Sequence, residues 1–171
     1  MLAENITVLG IPLKGTIENF TAKLKQQGYK VSPESKALPI GRRAFEVRFA
    51  GEDALLLASY DVNTKNVYDA VLTFSSFQQE SLKSKYELFK TNVDKKYAFK
   101  SGNKVSAQID RFHGMPMWRF TIENKEELIG KIFIYYWDIP ADDEYDTIYQ
   151  LNIRYRRGDA PSFEDESLKL F

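Results

Sequence analysis

The sequence predicts an α+β fold in which helices pack on one face of an antiparallel sheet. Twelve phenylalanines and ten tyrosines among 171 residues favour a sheet-rich chain. Two segments have the spacing of amphipathic helices, and a block of alternating apolar residues follows each of them. We therefore expect a single domain over residues 1–171, built from two helix-plus-meander halves at about 5–75 and 76–157, with a flexible C-terminal tail.

The clearest helix is predicted from Ser76 to Tyr97. Its apolar residues recur at the period of one helical face: Leu82, Tyr86, Phe89 and Val93. Ser76 followed by Gln79 fits a capping box, in which each side chain bonds an unpaired amide at the helix start. The lysines of this segment fall mostly off the apolar face, so we expect that face to pack on the sheet.

A first helix is predicted from Ile17 to Gln27. Thr16 can cap its start, and Gly28 is the expected stop. Before this helix, the apolar run at 5–11 is predicted to form a strand or a packed extended arm. After it, residues 29–41 contain two prolines, which favours a loop.

Strands are predicted where apolar residues alternate with polar ones. The first half has such segments at 45–49, 54–60 and 68–74, and the second half has them at 105–112, 118–122, 131–137 and 149–155. A turn is expected at 124–130 and an acidic loop at 138–146. Short connections between consecutive strands predict two antiparallel meanders.

The segment at 131–137 differs from the other strands because it is apolar on both faces. One set of its side chains can face the core, and Phe133, Tyr135 and Trp137 then face the other way. An exposed row of three aromatic side chains is a candidate partner-binding surface. The alternative is that both faces are buried, by a helix on one side and a loop or partner on the other.

Composition excludes several classes of function. Basic and acidic residues balance at 24 each, so no net field directs the chain to nucleic acid or to an anionic membrane. The absence of cysteine excludes disulfides and thiolate chemistry. No apolar run is long enough for a transmembrane helix, and no phosphate-binding glycine loop is present. We therefore predict no membrane span, no nucleic-acid partner and no cofactor.

Two features could support catalysis, and each has a simpler explanation. His113, the single histidine, could be a general base, but it has no evident partner in the sequence and falls at an expected hairpin turn. Five acids cluster at 138–146: Asp138, Asp142, Asp143, Glu144 and Asp146. They could serve a hydrolase-like site. An acidic loop can also bind calcium, but the spacing of these residues differs from that of an EF-hand calcium loop. A solvated loop between strands is the simpler interpretation, and we assign no catalytic or metal-binding residue.

The opening of the chain carries a loose motif: Ile11, Pro12, Gly15, Thr16, Phe20, Leu24, Gly28 and Tyr29. This motif resembles the start of a group of small uncharacterised α+β proteins of gut bacteria, many of which carry export signals. The resemblance implies no activity and no catalytic residues. The chain departs from that group at its close, where Arg156 rather than an aspartate follows Tyr155. The helix-plus-meander doublet is also similar in plan to β-lactamase-inhibitor-type proteins, and a shared plan carries no function.

These observations predict a non-enzymatic binding or interaction module that uses a sheet face and takes a protein or a small ligand as its partner. Two alternatives stay open: a hydrolase-like enzyme that uses the carboxylates at 138–146, and a carrier that encloses a lipid or small ligand between sheet and helices. The compartment is periplasmic or extracellular if a signal peptide has been removed, and cytoplasmic otherwise.

Overall fold

The structure is a computed structural model that describes residues 5–49, 51–76, 78–98, 102–112, 114–139 and 147–162, apart from the side chains of Asp94 and Ile139. Three parts of the sequence-based predictions lie outside these residues: His113, the segment 140–146 of the acidic loop, and the segment 163–171 of the C-terminal tail.

One antiparallel sheet dominates the fold. Two short strands, β1 (Thr7–Val8) and β2 (Ile11–Pro12), form an N-terminal hairpin, and the α-helices are α1 (Ile17–Gln26) and α2 (Glu80–Tyr97). The sheet contains β3 (Lys30–Val31), β4 (Arg42–Phe49), β5 (Glu52–Tyr60), β6 (Val67–Ser76), β7 (Asn103–Phe112), β8 (Met115–Asn124), β9 (Glu127–Ile139) and β10 (Ile148–Arg157). Its strand order is β3-β4-β5-β6-β10-β9-β8-β7.

Two meanders meet in the middle of this sheet, where β6 pairs with β10. Leu72 on β6 lies opposite Ile153 on β10, and Ile153 lies opposite Ile134 on β9. The predicted combination of an antiparallel sheet with helices is confirmed. The sheet is larger than predicted, however, because strands take 54% of the described residues and helices only 22%.

Helix α1 begins and ends as its sequence predicts, within one residue. The hydroxyl of Thr16 accepts a hydrogen bond from the backbone N–H of Asn19 at 3.2 Å, which satisfies one of the amides left unpaired at a helix start. Gly28 follows the helix with a φ of +90°, a left-handed conformation that glycine adopts without strain.

Helix α2 begins at Glu80, so the predicted start at Ser76 is wrong. Ser76 is the last residue of β6 and pairs with Tyr149 on β10. Its hydroxyl accepts a hydrogen bond from the backbone N–H of Gln78 at 3.0 Å, in the connection before the helix. The capping motif was a local signal, and the pairing with β10 overrides it.

Two predicted loops are also more regular than expected. Within 29–41, Lys30–Val31 pairs with β4, and a 3-10 helix spans Pro33–Ala37. The predicted turn at 124–130 reduces to Lys125 and Glu126, whose φ angles are 51° and 68°. Both angles suit the two-residue turns that join twisted strands, which usually contain glycine or asparagine. Neither residue type occupies positions 125 and 126, so the sequence predicts a turn here but not one of only two residues.

The core lies on one face of the sheet, which we call the helix face and define by Phe45, Leu72, Ile134 and Ile153. Phe20 of α1 meets Phe45 edge-on, with ring centroids 6.3 Å apart. Phe89 of α2 packs against Phe49 and Phe74, with centroids 5.2 and 5.6 Å away. Burial of these large aromatic side chains attaches both helices to the sheet.

Candidate ligand-binding cleft

The aromatic row predicted as a partner-binding surface lies on the opposite face of the sheet, away from the helices. Phe133 and Tyr135 are buried there, with 5% and 9% of their surfaces exposed, and Trp137 is 36% exposed. Phe112, on the edge strand β7, contacts both Tyr135 and Trp137, with centroids 4.7 and 5.4 Å apart. The structure therefore leaves one of the three side chains substantially exposed, at the end of the row. Whether the three bind a partner stays a prediction.

The same face holds a buried ionic cluster at the junction of the two meanders. Asp69 on β6 is 1% exposed and accepts hydrogen bonds from Arg154 Nε at 2.8 Å and from Arg156 Nη1 at 2.6 Å. Beside it, Thr73 donates to the side-chain oxygen of Asn152 at 2.7 Å. These ion pairs and this hydrogen bond link β6 to β10. Because the polar groups bond to one another, we assign them a structural role.

Asp138 is the only acid of the 138–146 cluster that falls within the described residues. Among the residues that the structure describes, no group of three His, Asp or Glu side chains could hold a metal ion. Likewise, no helix in those residues is long and apolar enough to cross a membrane.

A cleft of about 240 Å³ opens between α2, the N-terminal hairpin and the helix face of the sheet. Its floor is formed by Ile132 on β9 with Ile153 and Tyr155 on β10. Phe89, Val93 and Tyr97 of α2 make one wall, and Leu9 with Gly10 of the hairpin make part of another.

The hairpin reaches this position because β9 has a glycine, Gly130, where the chain leading into the hairpin passes over the strand. A Cβ atom on Gly130 would lie 2.6 Å from Ile6 Cγ1 and 2.4 Å from the backbone oxygen of Arg156, so only glycine allows such a close approach. The tip of the hairpin, Leu9 and Gly10, has φ angles of 54° and 76°. The tight turn thus places the Leu9 side chain at the cleft.

Polar groups hold the hairpin to the end of α2 at the rim of the cleft. The backbone N–H of Thr7 donates to the Tyr97 hydroxyl at 3.2 Å, and Lys96 Nζ donates to the Thr7 hydroxyl. Lys96 Nζ also lies 5.6 Å from the centroid of the Tyr97 ring. The rim therefore carries a cation and two hydroxyl groups above apolar walls.

Tyr155, on the floor, is the titratable group most affected by this environment. Burial raises the pKa of its hydroxyl, and the neighbouring Tyr97 hydroxyl raises it further. The group stays neutral throughout the physiological range, so it can offer a hydrogen bond but no charge.

The other large hollows are less suited to an apolar ligand. One of about 720 Å³ lies beside the end of α1, where Lys30 pairs with Glu46 at 3.1 Å and Arg48 with Asp53 at 3.8 Å. One of about 420 Å³ on the opposite face contains Arg119, which pairs with Asp110 at 3.2 Å. The ion pairs named here occupy charged side chains of both hollows, whereas the cleft under α2 is lined mainly by apolar groups.

Sequence reasoning placed α2 on the sheet and left open a ligand site between sheet and helices, but it named none of the residues that line this cleft. Local periodicity shows which face of α2 is apolar. It does not show that the hairpin stops short of filling the space beneath the end of the helix. Gly130 was the one local signal. A glycine beside an apolar strand marks a place where another segment of the chain can approach the strand closely, but it does not say which segment.

No protein-family model matches the chain, and neither the curated proteins nor the solved structures contain a significant match. The resemblance to small proteins of gut bacteria therefore stays a prediction.

Proposed function

We propose that the protein is a non-enzymatic binding module that holds a small apolar molecule with one polar or anionic end in the cleft under α2. The observation that supports this most is the combination of an apolar floor, made by Ile132 and Ile153, with Lys96 at the rim. An apolar pocket with a few convergent polar groups is the usual form of a small-molecule site.

The volume limits the size of the ligand. A cavity of about 150 Å³ holds benzene, which corresponds to about 25 Å³ for each heavy atom. The cleft, at about 240 Å³, therefore accommodates about ten heavy atoms. This is the size of a medium-chain fatty acid or a substituted aromatic ring, and it is too small for a membrane lipid with two chains.

The polarity sets the orientation of the ligand. The apolar part contacts Ile132, Ile153 and Val93, and the polar end points to the rim beside Lys96 and the Thr7 hydroxyl. A carboxylate suits this end because a cation and a hydroxyl donor can both reach it. Octanoate matches both the size and the polarity, and it serves as the probe.

Titration of octanoate into the labelled protein, followed by NMR, tests the proposal. We expect saturable shifts in the methyl signals of Val93, Ile132 and Ile153. Val93→Phe fills the cleft and should weaken octanoate binding by about tenfold or more, a difference of 1.4 kcal/mol. Leu88→Phe adds the same group to the solvent side of α2, where Leu88 is 50% exposed, and should leave the affinity unchanged.

A second pair of measurements tests the polar end. Lys96→Met should weaken octanoate binding by about fivefold, the upper range for one exposed charge contact, and should leave 1-octanol binding unchanged. If neither probe shifts these methyl signals at millimolar concentration, the cleft is not a ligand site. Equal losses for Val93→Phe and Leu88→Phe would also contradict the proposal, since the effect would then come from the helix and not from the cleft.

A partner-binding role for the opposite sheet face is a second candidate, and Trp137 is the observation that favours it. Its ring is 36% exposed and lies against Phe112, which gives a small aromatic surface at one corner of the sheet. On this view the two helix-plus-meander halves are a scaffold with a ligand cleft on the helix face and a contact surface behind it.

A further inference from the structure

The two edges of the main sheet differ in length and in exposure. At one edge, β3 has only two residues, Lys30–Val31. At the other edge, β7 has ten residues, Asn103–Phe112, and within the described part of the chain it pairs only with β8. A strand that pairs on one side presents a row of unpaired N–H and C=O groups on the other.

Strand β7 lacks most of the features that block edge pairing. It contains no proline, and its register with β8 runs without a bulge from Asn103 to Phe112. Four consecutive residues in its middle, at 106–109, are exposed, and Ile109 is 58% exposed. Charged residues are the remaining protection that such an edge carries, and two of the three on β7, Lys104 and Asp110, have opposite signs and lie three residues on either side of Ala107.

We propose that β7 pairs with β7 of a second copy of this chain, antiparallel and centred on Ala107. In this register Lys104 of one copy lies opposite Asp110 of the other, twice, because of the two-fold symmetry. Val105 lies opposite Ile109, also twice, and the small side chain of Ala107 sits on the axis. Opposite charges and apolar side chains facing each other across strands are the favourable cross-strand pairs.

The side chains of each pair lie on the same face of the joined sheet. Val105 pairs with Ile122 and Ile109 with Trp118 on β8, which places both on the helix face. Lys104 and Asp110 lie on the opposite face, where Arg119 holds the Asp110 carboxylate at 3.2 Å. A carboxylate can accept several hydrogen bonds, so Asp110 can receive the lysine of the second copy as well.

Neighbouring registers are worse. The pleat allows only registers that are centred on a residue, because directly opposed side chains must point to the same face. Centring on Ser106 places Lys104 opposite Gln108, and centring on Gln108 places it opposite Phe112. Either shift loses both ion pairs, so the register on Ala107 is specified by the sequence of the strand itself.

The test uses two charge reversals and their mixture. Sedimentation of the full chain over a concentration series should show a monomer–dimer equilibrium. Lys104→Asp places acid against acid, and Asp110→Lys places base against base, so each variant alone should be monomeric. An equimolar mixture of the two restores both ion pairs between unlike chains, and we expect dimers to return there and to contain one copy of each variant.

Controls separate pairing from folding. Circular dichroism checks that each variant is folded, and Lys14→Asp makes the same charge change at an exposed loop position and should dimerise like the natural chain. A natural chain that stays monomeric at all concentrations would overturn the proposal and leave the edge to a different partner. A mixture that stays monomeric although both variants are folded would overturn it too, as would dimers of Lys104→Asp alone. The proposal does not depend on the ligand cleft, because no residue of β7 lines that cleft.

Discussion

The two meanders of the sheet, β3–β6 and β7–β10, each follow an α-helix, but the two halves of the sheet are closed to different degrees. In the first half, α1 buries Ile17, Phe20 and Leu24 almost completely, with 1%, 1% and 0% of their surfaces exposed. In the second half, the apolar face of α2 is also buried, but Tyr86 and Val93 keep 9% and 8% of their surfaces exposed. The space left beneath the end of α2 is the cleft.

The edges follow the same division. The first half ends in the two-residue strand β3, and the second half ends in the ten-residue strand β7. A short edge strand offers little to a partner, and a long regular one offers a template for pairing. One plan can therefore give a closed half and an open half: the β7 edge belongs to the open half, and the cleft lies where α2 of that half meets the N-terminal hairpin.

Removing one phenylalanine from each helix gives the largest expected effect and tests this contrast directly. Phe20→Ala should lower the free energy of unfolding by about 3–5 kcal/mol, because a fully packed ring leaves a cavity. Phe89→Ala should cost less, about 2–3 kcal/mol, because one side of its ring already borders the cleft. Urea unfolding followed by circular dichroism measures both values. Equal losses would show that the two helices are packed equally tightly.

The junction between the halves gives the next effect. Asp69→Ala leaves the guanidinium groups of Arg154 and Arg156 without their shared carboxylate, and we expect a loss of about 3 kcal/mol. Asp53→Ala removes an exposed partner of Arg48 and should change stability by less than about 0.5 kcal/mol. A small effect at Asp69 would mean that the apolar contacts between β6 and β10 hold the halves together without the ionic cluster.

Much of the closed half could be predicted from the sequence, because its signals are local. Thr16 caps α1 and Gly28 ends it, as the residue types indicate. The alternation of Phe45 and Val47 marks β4 in the same way. Helix caps and strand alternation depend on neighbours in the chain, so no knowledge of the tertiary fold was needed.

The open half depends on contacts between distant residues, which local patterns do not show. Ser76 had the residue type of a cap, but its pairing with Tyr149 keeps it in β6. Phe133 and Tyr135 could be assigned to a face, but their exposure depends on what covers that face. The strand order that leaves β7 at an edge is likewise a property of the whole fold.

The smallest expected effect comes from Tyr136, which stacks on Tyr86 of α2 with ring centroids 4.8 Å apart. Its hydroxyl is buried without a hydrogen-bond partner within the described residues. Removing an unpaired buried polar group relieves its desolvation, so Tyr136→Phe should keep stability unchanged or raise it by up to about 1 kcal/mol at pH 7.

The same residue gives the open half a response to alkaline pH. Burial, and then the neighbouring Tyr86 and Glu87, raise the pKa of Tyr136 to about 12 from its usual 10.0. The folded state thus disfavours the ionised hydroxyl, so titration of this group leaves the free energy of unfolding unchanged below pH 10 and lowers it as the pH rises towards 12. Urea unfolding at several pH values from 9 to 12 should therefore show a shallower alkaline loss for Tyr136→Phe than for the natural chain. Parallel pH curves for the two proteins would show that water reaches the contact between Tyr136 and Tyr86. The open half would then be loosely packed in the first turns of α2 as well as at the cleft.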